Sequence, residues 1–168
     1  MNQFRYTLGI DNGSTGTIGI IGPNAPVFVL TPTIDSIHYG KSGSISKRLD
    51  RSEFKSIIEN NIGKNNCQNT RVVIERPFTG SPMMIKSMLH AHRFFESTIC
   101  CLEDLGFGYE VVDSGTWQKS MLGEVKGSAE LKKASKLRGQ QIYPQFTDLI
   151  KKHGDADGLL IAHHASKG

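Results

Sequence analysis

The sequence predicts an α/β fold, in which a mixed five-stranded sheet, an antiparallel meander plus parallel strands, is flanked by helices. Three observations predict it. Short β-branched runs separated by turn residues fill the first 30 residues, helical and strand-like segments alternate after residue 50, and the 168 residues match the size of one domain. We therefore expect a single domain over residues 1–168.

The first three strands are predicted from apolar runs broken by turn residues. Residues 4–10 are followed by DNGSTG, residues 17–21 are followed by GPNAP, and residues 27–30 complete the series. Tight turns between such short runs favour antiparallel neighbours. Residues 31–50 are rich in Ser, Gly and Lys, and we expect a long exposed loop there, with disorder as the alternative.

The rest of the chain alternates between helical and strand-like patterns. A helical stripe from Ser52 stops at Gly63, and a Met-rich helical pattern over residues 83–105 stops before Gly106. The remaining predicted elements are strands at 71–75 and 108–113 and helices at about 128–142 and from about 155 to the end. This order is that of a βαβ crossover joined to a hairpin sheet.

Composition narrows the function classes only slightly. The net charge is +4, from 20 Lys+Arg against 16 Asp+Glu, which is compatible with a polyanionic partner without requiring one. No segment reaches the roughly 18 apolar residues of a membrane span, and the N-terminus lacks a secretory signal pattern. The three cysteines have no Cys-x-x-Cys spacing. We expect a soluble intracellular protein with reduced thiols and no membrane partner.

Acidic residues are predicted to meet at one edge of the sheet. Asp11 follows the first strand, and Glu75 ends the strand Val72-Val73-Ile74. If these strands are parallel neighbours, both carboxylates emerge at the same carboxyl edge, where open α/β sheets place their sites. Packing of the last helix on the sheet would bring Asp155 and Asp157 to that edge.

A cluster of carboxylates is the donor set that Mg²⁺ prefers, and two such ions clamp both oxygens of an in-line phosphoryl displacement. The alternative is structural. Asp11 before Asn-Gly is also a turn signal, and Asp157 before an apolar helix is also an N-cap signal. Glu75 directly after an apolar strand requires a partner, and the adjacent Arg76 is a candidate.

Five segments carry a resemblance to a known family. They are LGIDNGSTGTIGI, VVIERPFTG, VDSGTWQKSMLG, KKASKLRGQQIYPQ and KKHGDADGLLIAHH, which together extend over residues 8–164. In this order and spacing they resemble the RuvC-like Holliday junction resolvases, in a form close to the phage and viral branch. That family belongs to the ribonuclease H-like superfamily, so the resemblance implies a ribonuclease H-like fold.

The resemblance implies a set of metal-binding and catalytic residues. Asp11, Glu75 and Asp157 match the metal-binding carboxylates of the family. The fourth ligand is open: on a regular helix His153 shares a face with Asp157, whereas Asp155 is the harder donor for Mg²⁺. We take Asp155 as the fourth ligand and catalytic residue, with His153 as the alternative ligand or as a group that orients water.

The activity that the resemblance implies is that of a homodimeric, Mg²⁺-dependent endodeoxyribonuclease. It would nick two opposed strands of a four-way junction, with two ions per site and Mn²⁺ as the alternative metal. Opposed cuts require two sites related by a two-fold axis, and the helix at 83–105 is the expected dimer face. Gly158 stands where the family has Ala, and we expect it to loosen the last helix slightly.

Basic residues are the expected contacts to the phosphate backbone. Phe78 follows the Glu75 strand, and stacking on an unpaired base is one role for it; anchoring its own loop is the other. We expect the loop at 31–50, with Lys41, Lys47 and Arg48, to reach the DNA arms as well. The basic residues predicted to bind DNA are Lys119, Lys126, Lys132, Lys133, Lys136 and Arg138, with Lys151 and Lys152 close behind.

Three other interpretations remain. GIDNGSTGTIGI also resembles the first phosphate loop of sugar kinases and actin-like ATPases, which require two domains around a cleft. A non-catalytic junction-binding scaffold would keep the fold but does not need the acidic residues. The small RuvC-like RNA-processing group shares the early Asp-x-Gly, although the Trp-Gln-Lys segment and the Lys-rich helix favour the resolvase.

Overall fold

The structure is a computed structural model that describes residues 4–37, 45–78 and 85–168. The strands are β1 Tyr6–Ile10, β2 Thr17–Ile21, β3 Val27–Leu30, β4 Thr33–Ile37, β5 Ile45–Leu49, β6 Thr70–Glu75 and β7 Glu110–Val112. The α-helices are α1 Arg51–Asn61, α2 Ile85–Asp104, α3 Ser114–Leu122, α4 Ser128–Ile142, α5 Thr147–His153 and α6 Asp157–Ser166. Short 3-10 turns cover Lys64–Asn69 and Pro144–Phe146.

The main sheet has five strands in the order β3-β2-β1-β6-β7. β1 pairs antiparallel with β2, and β2 pairs antiparallel with β3. β6 lies parallel to β1 on one side and to β7 on the other. The predicted mixed sheet is therefore confirmed. Because Ile10 lies opposite Ile74, the residues that follow them leave the sheet at the same edge.

Alternation along the strands gives the sheet two different faces. Tyr6, Leu8 and Ile10 of β1 point toward α1 and α2, where Phe54 and Phe94 complete a core of fully buried side chains. Burial of each such side chain contributes about 2 kcal/mol to folding. The other face of the sheet is covered by α3 to α6.

Helix α6 packs on that second face through its backbone. Gly9 on β1 and Gly19 on β2 lie under the helix, and a Cβ on either would overlap backbone atoms of α6. Gly158 on α6 is equally confined, because its Cβ would overlap the carbonyl of Thr17. The expectation that Gly158 only loosens the helix was thus incomplete. The glycine allows the helix to approach the sheet closely.

The segment at 31–50 is not the long loop that its composition suggested. β4 and β5 form an antiparallel pair, with Thr33 opposite Leu49. The Ser- and Lys-rich composition conceals β-branched residues such as Thr33 and Ile34 in β4, which have high strand propensity. Residues 38–44, which include the predicted DNA contact Lys41, lie outside the described residues.

The remaining differences concern helices. α3 and α5 were not predicted, and the last helix begins at Asp157 rather than 155 because Gly154, at φ +112°, ends α5 in the left-handed conformation. The helix expected over 83–105 is described from Ile85 to Asp104, and residues 83 and 84 lie outside the described part. Among the described helices, none combines the length and apolar composition needed to cross a bilayer.

Candidate metal centre

Three carboxylates meet at the carboxyl edge of β1. Asp11 follows the last residue of that strand, Asp157 opens α6, and Asp155 lies in the turn just before it. One carboxylate oxygen from each lies within 4.8 Å of the others. Asp155 is buried, whereas Asp11 and Asp157 are partly accessible. The group is therefore open to solvent on one side, as a site that receives a ligand must be.

A tight turn positions Asp11. Its backbone N–H donates to the Thr17 carbonyl at 3.0 Å, and the Gly16 N–H donates to the Gly13 carbonyl at 3.1 Å. A Cβ on Gly16 would overlap the Asp11 carbonyl, so the turn requires a glycine there. The DNGSTG segment is therefore both a turn signal and the support of a site residue, and the two interpretations of Asp11 do not exclude each other.

A buried serine on α4 holds the turn that carries the other two acids. The Ser135 hydroxyl accepts a hydrogen bond from the Ala156 N–H at 3.1 Å and donates a short one to Asp157 Oδ1. Gly139, one turn further along α4, leaves room for the Ala156 side chain. α4 therefore positions this turn in two ways: the Ser135 hydroxyl binds it, and the lack of a side chain on Gly139 gives it room.

The electrostatics of the group follow from burial and from like charges. Burial is the largest cause of the strongly raised pKa of Asp11, and the neighbouring carboxylates, led by Asp157, add to it. The pKa of Asp157 rises to about 6, first through burial and then through the charge of Asp155. The Ser135 hydrogen bond and the Lys132 ammonium oppose that rise. Carboxylates held in this way are stabilised by a cation.

Glu75 borders the group at the end of β6, and its partner is Trp117. The indole Nε1–H donates to Glu75 Oε2 at 3.3 Å. Burial, followed by the charge of Asp157, raises the pKa of Glu75 to about 7 against the effect of that hydrogen bond. Arg76 does not pair with Glu75, contrary to expectation, because its side chain turns outward to Asp113, with Nε 2.7 Å from Oδ1.

His153 lies beside the group rather than within it. Its Nε2 is 3.4 Å from Asp155 Oδ1, and this buried nitrogen makes no hydrogen bond to any described residue. The regular helix assumed in comparing His153 with Asp155 does not exist, because the break at Gly154 separates α5 from α6. That break allows Asp155 to reach Asp11 and Asp157.

The predicted basic residues surround α3 and α4. Lys119 lies on α3 and Lys126 in the connection to α4, and both line one cleft with Gln118. Lys132 is the basic residue whose charge reaches the acids, since it lowers the pKa of Asp11 and of Asp157. Lys133, Lys136 and Arg138 follow on α4, and Lys151 and Lys152 are exposed on α5.

Two segments connected to the site carry exposed apolar side chains. Phe78 follows Glu75 by three residues, and 62% of its surface is exposed. On α2, Ile85 and Leu89 are exposed one turn apart. α2 also contacts the acidic turn, since Asn12 Nδ2 donates to the Ala91 carbonyl at 3.2 Å.

Sequence reasoning did not find the supporting residues. Ser135 lies in a Lys-rich helix, and nothing in its local pattern distinguishes it from a solvent-facing serine. Trp117 belongs to a quoted motif, but its hydrogen bond to Glu75 depends on the packing of α3. A buried indole needs an acceptor, and this is the one signal that could have suggested the contact.

Comparisons with known proteins identify the fold. The structure is similar to Thermus thermophilus RuvC in complex with Holliday junction substrate, with a TM-score of 0.54 at 13% identity, covering 95% of this chain and 90% of that one. A second Thermus thermophilus RuvC structure gives 0.49 at 16% identity, covering 95% and 92%. The yeast mitochondrial Holliday junction resolvase gives 0.42 at 14% identity, covering 98% and 78%.

In sequence, no protein-family model and no curated protein matches the chain. At 13% identity the similarity to the junction-bound RuvC structure establishes the fold. The expected ribonuclease H-like architecture, with its mixed sheet flanked by helices, is confirmed.

Proposed function

We propose that this chain is a structure-selective DNA endonuclease that resolves four-way junctions by metal-dependent nicks on opposed strands. The observation that carries the proposal is the group of Asp11, Asp155 and Asp157, which lies at the sheet edge of a RuvC-like fold. The five segments that resemble the RuvC-like resolvases support the same activity, and we include the phage and viral branch in the proposal on their basis.

The donor set fits a hard divalent cation. Three carboxylates with mutually accessible oxygens repel one another, and burial raises the pKa of Asp11 and of Asp157. The buried His153 Nε2 beside Asp155 has no hydrogen-bond partner among the described residues, so it is available as an additional donor. Oxygen-rich sites of this kind suit Mg²⁺ or Mn²⁺.

Asp11, Asp155 and Asp157 would hold the metal, with Glu75 as the further carboxylate at its border. The chemistry that bound Mg²⁺ supplies is activation of the attacking water and stabilisation of the leaving 3′ oxygen. The Ser135 hydroxyl keeps Asp157 in place, and the Trp117 indole keeps Glu75 turned toward the other acids.

Basic residues beside the acids would bind the DNA backbone. Lys132 is already close enough to influence the acids, so it would contact the phosphate nearest to the cut. Lys119, Lys126, Lys133, Lys136 and Arg138 continue this positive surface on α3 and α4. Phe78, exposed at the same edge, would stack on a base at the branch point.

The proposed activity needs a second copy of the chain. Opposed nicks require two sites related by a two-fold axis. Exposed Ile85 and Leu89 give α2 an apolar stripe suited to a homodimer contact. The Asn12 contact to α2 would then join the dimer face to the turn that carries Asp11.

The first experiment is cleavage of a labelled four-way junction by the purified protein with Mg²⁺ and with chelator, beside a linear duplex. We expect paired nicks on opposed strands that need the metal. Asp11→Asn should lower the rate about a thousandfold, since metal catalysis contributes roughly 4 kcal/mol. Asp148→Asn, an exposed carboxylate on α5, is the matched control and should cut normally.

Other outcomes would reject the proposal in different ways. Cutting that survives in chelator, or in Asp11→Asn, would exclude the acidic group as the reacting centre. Tight junction binding without cutting would indicate a scaffold. A protein that neither binds nor cuts junctions would favour the alternative function, nucleotide binding by the β1–β2 turn.

A further inference from the structure

A basic cleft lies between the β4–β5 hairpin, the start of α1 and α2. Its volume is about 330 Å³, and its lining includes Lys47 and Arg48 of β5, Arg51 of α1 and Arg93 of α2. Asp50 is the single acidic residue that lines it in the described part of the chain. The Asp50 carboxylate is already used, because it caps α1 by accepting from the Glu53 N–H at 3.1 Å.

Most of these cations have no ionic partner. Arg51 lies 3.1 Å from Asp104 Oδ2. Lys47, Arg48 and Arg93 are exposed and form no ion pair with any described residue. Unpaired like charges around a concave surface create a positive potential that attracts an anion. Arginine guanidinium groups in particular bind phosphate oxygens in bidentate fashion.

The cleft opens beside the edge that carries the acids. The Thr31 N–H donates to the Gly16 carbonyl at 3.0 Å, and Gly16 belongs to the turn that follows Asp11. The Asp50 N–H in turn donates to the Pro32 carbonyl at 3.0 Å. The base of the hairpin and the start of α1 are therefore fastened to the same turn as the first carboxylate.

The other wall of the cleft is also joined to that turn. Asn12, the neighbour of Asp11, donates to the Ala91 carbonyl and accepts from the Thr98 hydroxyl at 3.3 Å. Arg93 lies between these two contacts along α2. With its side chains a helix is about 10 Å across, so a single helix separates this wall from Asn12.

We propose that this cleft binds backbone phosphates of a duplex DNA arm that leaves the acidic centre. The inference rests on the proposed function and extends it, because it assigns the hairpin and α2 to the arm rather than to the branch point. Lys47, on the same face of β5 as buried Leu49, and Arg93 of α2 contact neighbouring phosphates, and base identity does not matter to them.

The test is the salt dependence of binding to a four-way junction with long arms, in chelator so that no strand is cut. The variant carries Lys47→Ala with Arg93→Ala. The control carries Lys64→Ala with Lys167→Ala, which removes equal charge at the opposite edge of the sheet. Each lost phosphate contact lowers the slope of log K against log salt by about 0.9. We expect the slope to fall by about two in the variant and to stay unchanged in the control.

Shortening the arms separates arm contacts from branch-point contacts. The difference between the variant and wild type should disappear once the arms no longer reach the cleft. A difference that persists on the shortest arms would overturn the assignment to the arm. Equal slopes for variant and control would show that the cleft does not bind DNA. If the wild type still cuts junctions in that case, the proposed function stands without the cleft. A wild type that neither binds nor cuts junctions would remove both.

Discussion

On one face of the sheet, α1 and α2 pack through interlocking side chains, such as Phe54 and Phe94 against the apolar residues of β1. On the other face, α6 packs through backbone, with Gly9 and Gly158 at the contact. The first face can adjust by small side-chain movements. The second places the backbone of α6 at a fixed height over the strands, and Asp157 is the first residue of that helix. Both faces bury an apolar core, and only the backbone face in addition fixes the position of α6.

The largest expected loss of stability comes from a substitution on the side-chain face. Phe54→Ala should lower the free energy of unfolding by about 4 kcal/mol, since it removes a fully buried aromatic ring. Equilibrium denaturation measures the loss. Under conditions where the variant is folded, its cutting rate per folded molecule should equal that of wild type. A large loss of rate in the folded variant would contradict the division between the two faces.

Gly158→Ala tests the backbone face. The sign of the change in the free energy of unfolding shows whether helix propensity or close packing dominates. Helix propensity alone would stabilise α6 by about 1 kcal/mol. The overlap of the new Cβ with the Thr17 carbonyl should instead destabilise the protein by about 2 kcal/mol. We expect the destabilised protein to cut more slowly as well, because Asp157 moves with the helix. Thermal unfolding that shifts upward would show that the contact is not tight.

Ser135→Ala should lower the cutting rate much more than it lowers the stability of the protein, because Ser135 positions Asp157. Removing a group that orients a metal ligand typically costs tenfold or more in activity, and we expect at least a tenfold lower cutting rate. The free energy of unfolding should change by about 1 kcal/mol. Ser128→Ala, on the exposed side of the same helix, is the matched control. Equal rates for the two variants would mean that the Ser135 hydrogen bonds do not serve the site.

The pH dependence of stability without metal tests the acidic centre that the backbone face positions. Glu75 and Asp157 have pKa values of about 7 and about 6 in the fold, above the values near 4 of the unfolded chain. Between these limits the folded state binds more protons, so their contribution to stability is complete below about pH 4 and is lost as pH rises through 6 and 7.

Thermal unfolding in chelator should therefore show a decline from pH 5 to pH 8 of about 2–3 kcal/mol from Glu75 and about 1 kcal/mol from Asp157. Added Mg²⁺ should restore the most stability at pH 8, where the acids are ionised. Asp11→Asn should reduce the decline because it removes the titration of a third carboxyl whose pKa is raised in the fold. Stability that increases over this pH range in chelator would contradict the raised pKa values.

Local patterns predicted much of this architecture. Apolar, β-branched runs predicted β1, β2, β3 and β6, and helical patterns predicted α1, α2 and α4. Strand ends then indicated where acids would gather, because parallel neighbours β1 and β6 share an edge. These predictions depend only on side-chain period and on chain order, both of which are visible in a sequence.

The parts that could not be predicted depend on contacts between distant segments. Ser135 meets Asp157 across 22 residues, and Trp117 meets Glu75 across 42. The β4–β5 hairpin was hidden by a composition rich in Ser and Lys. The positions of Asp155 and His153 depend on a single left-handed glycine, Gly154. A helical wheel assumes one continuous helix and does not represent the break that this glycine makes.

The chain contains one tryptophan, and its indole nitrogen is bonded to a carboxylate at the edge of the acidic group. Any event that changes the charge or position of Glu75 also changes the surroundings of that ring. Its fluorescence is thus an intrinsic optical probe of the centre, which needs no label and no engineered residue. Cation titrations can be followed on the unmodified protein in the absence of DNA, so occupancy and cutting can be measured separately.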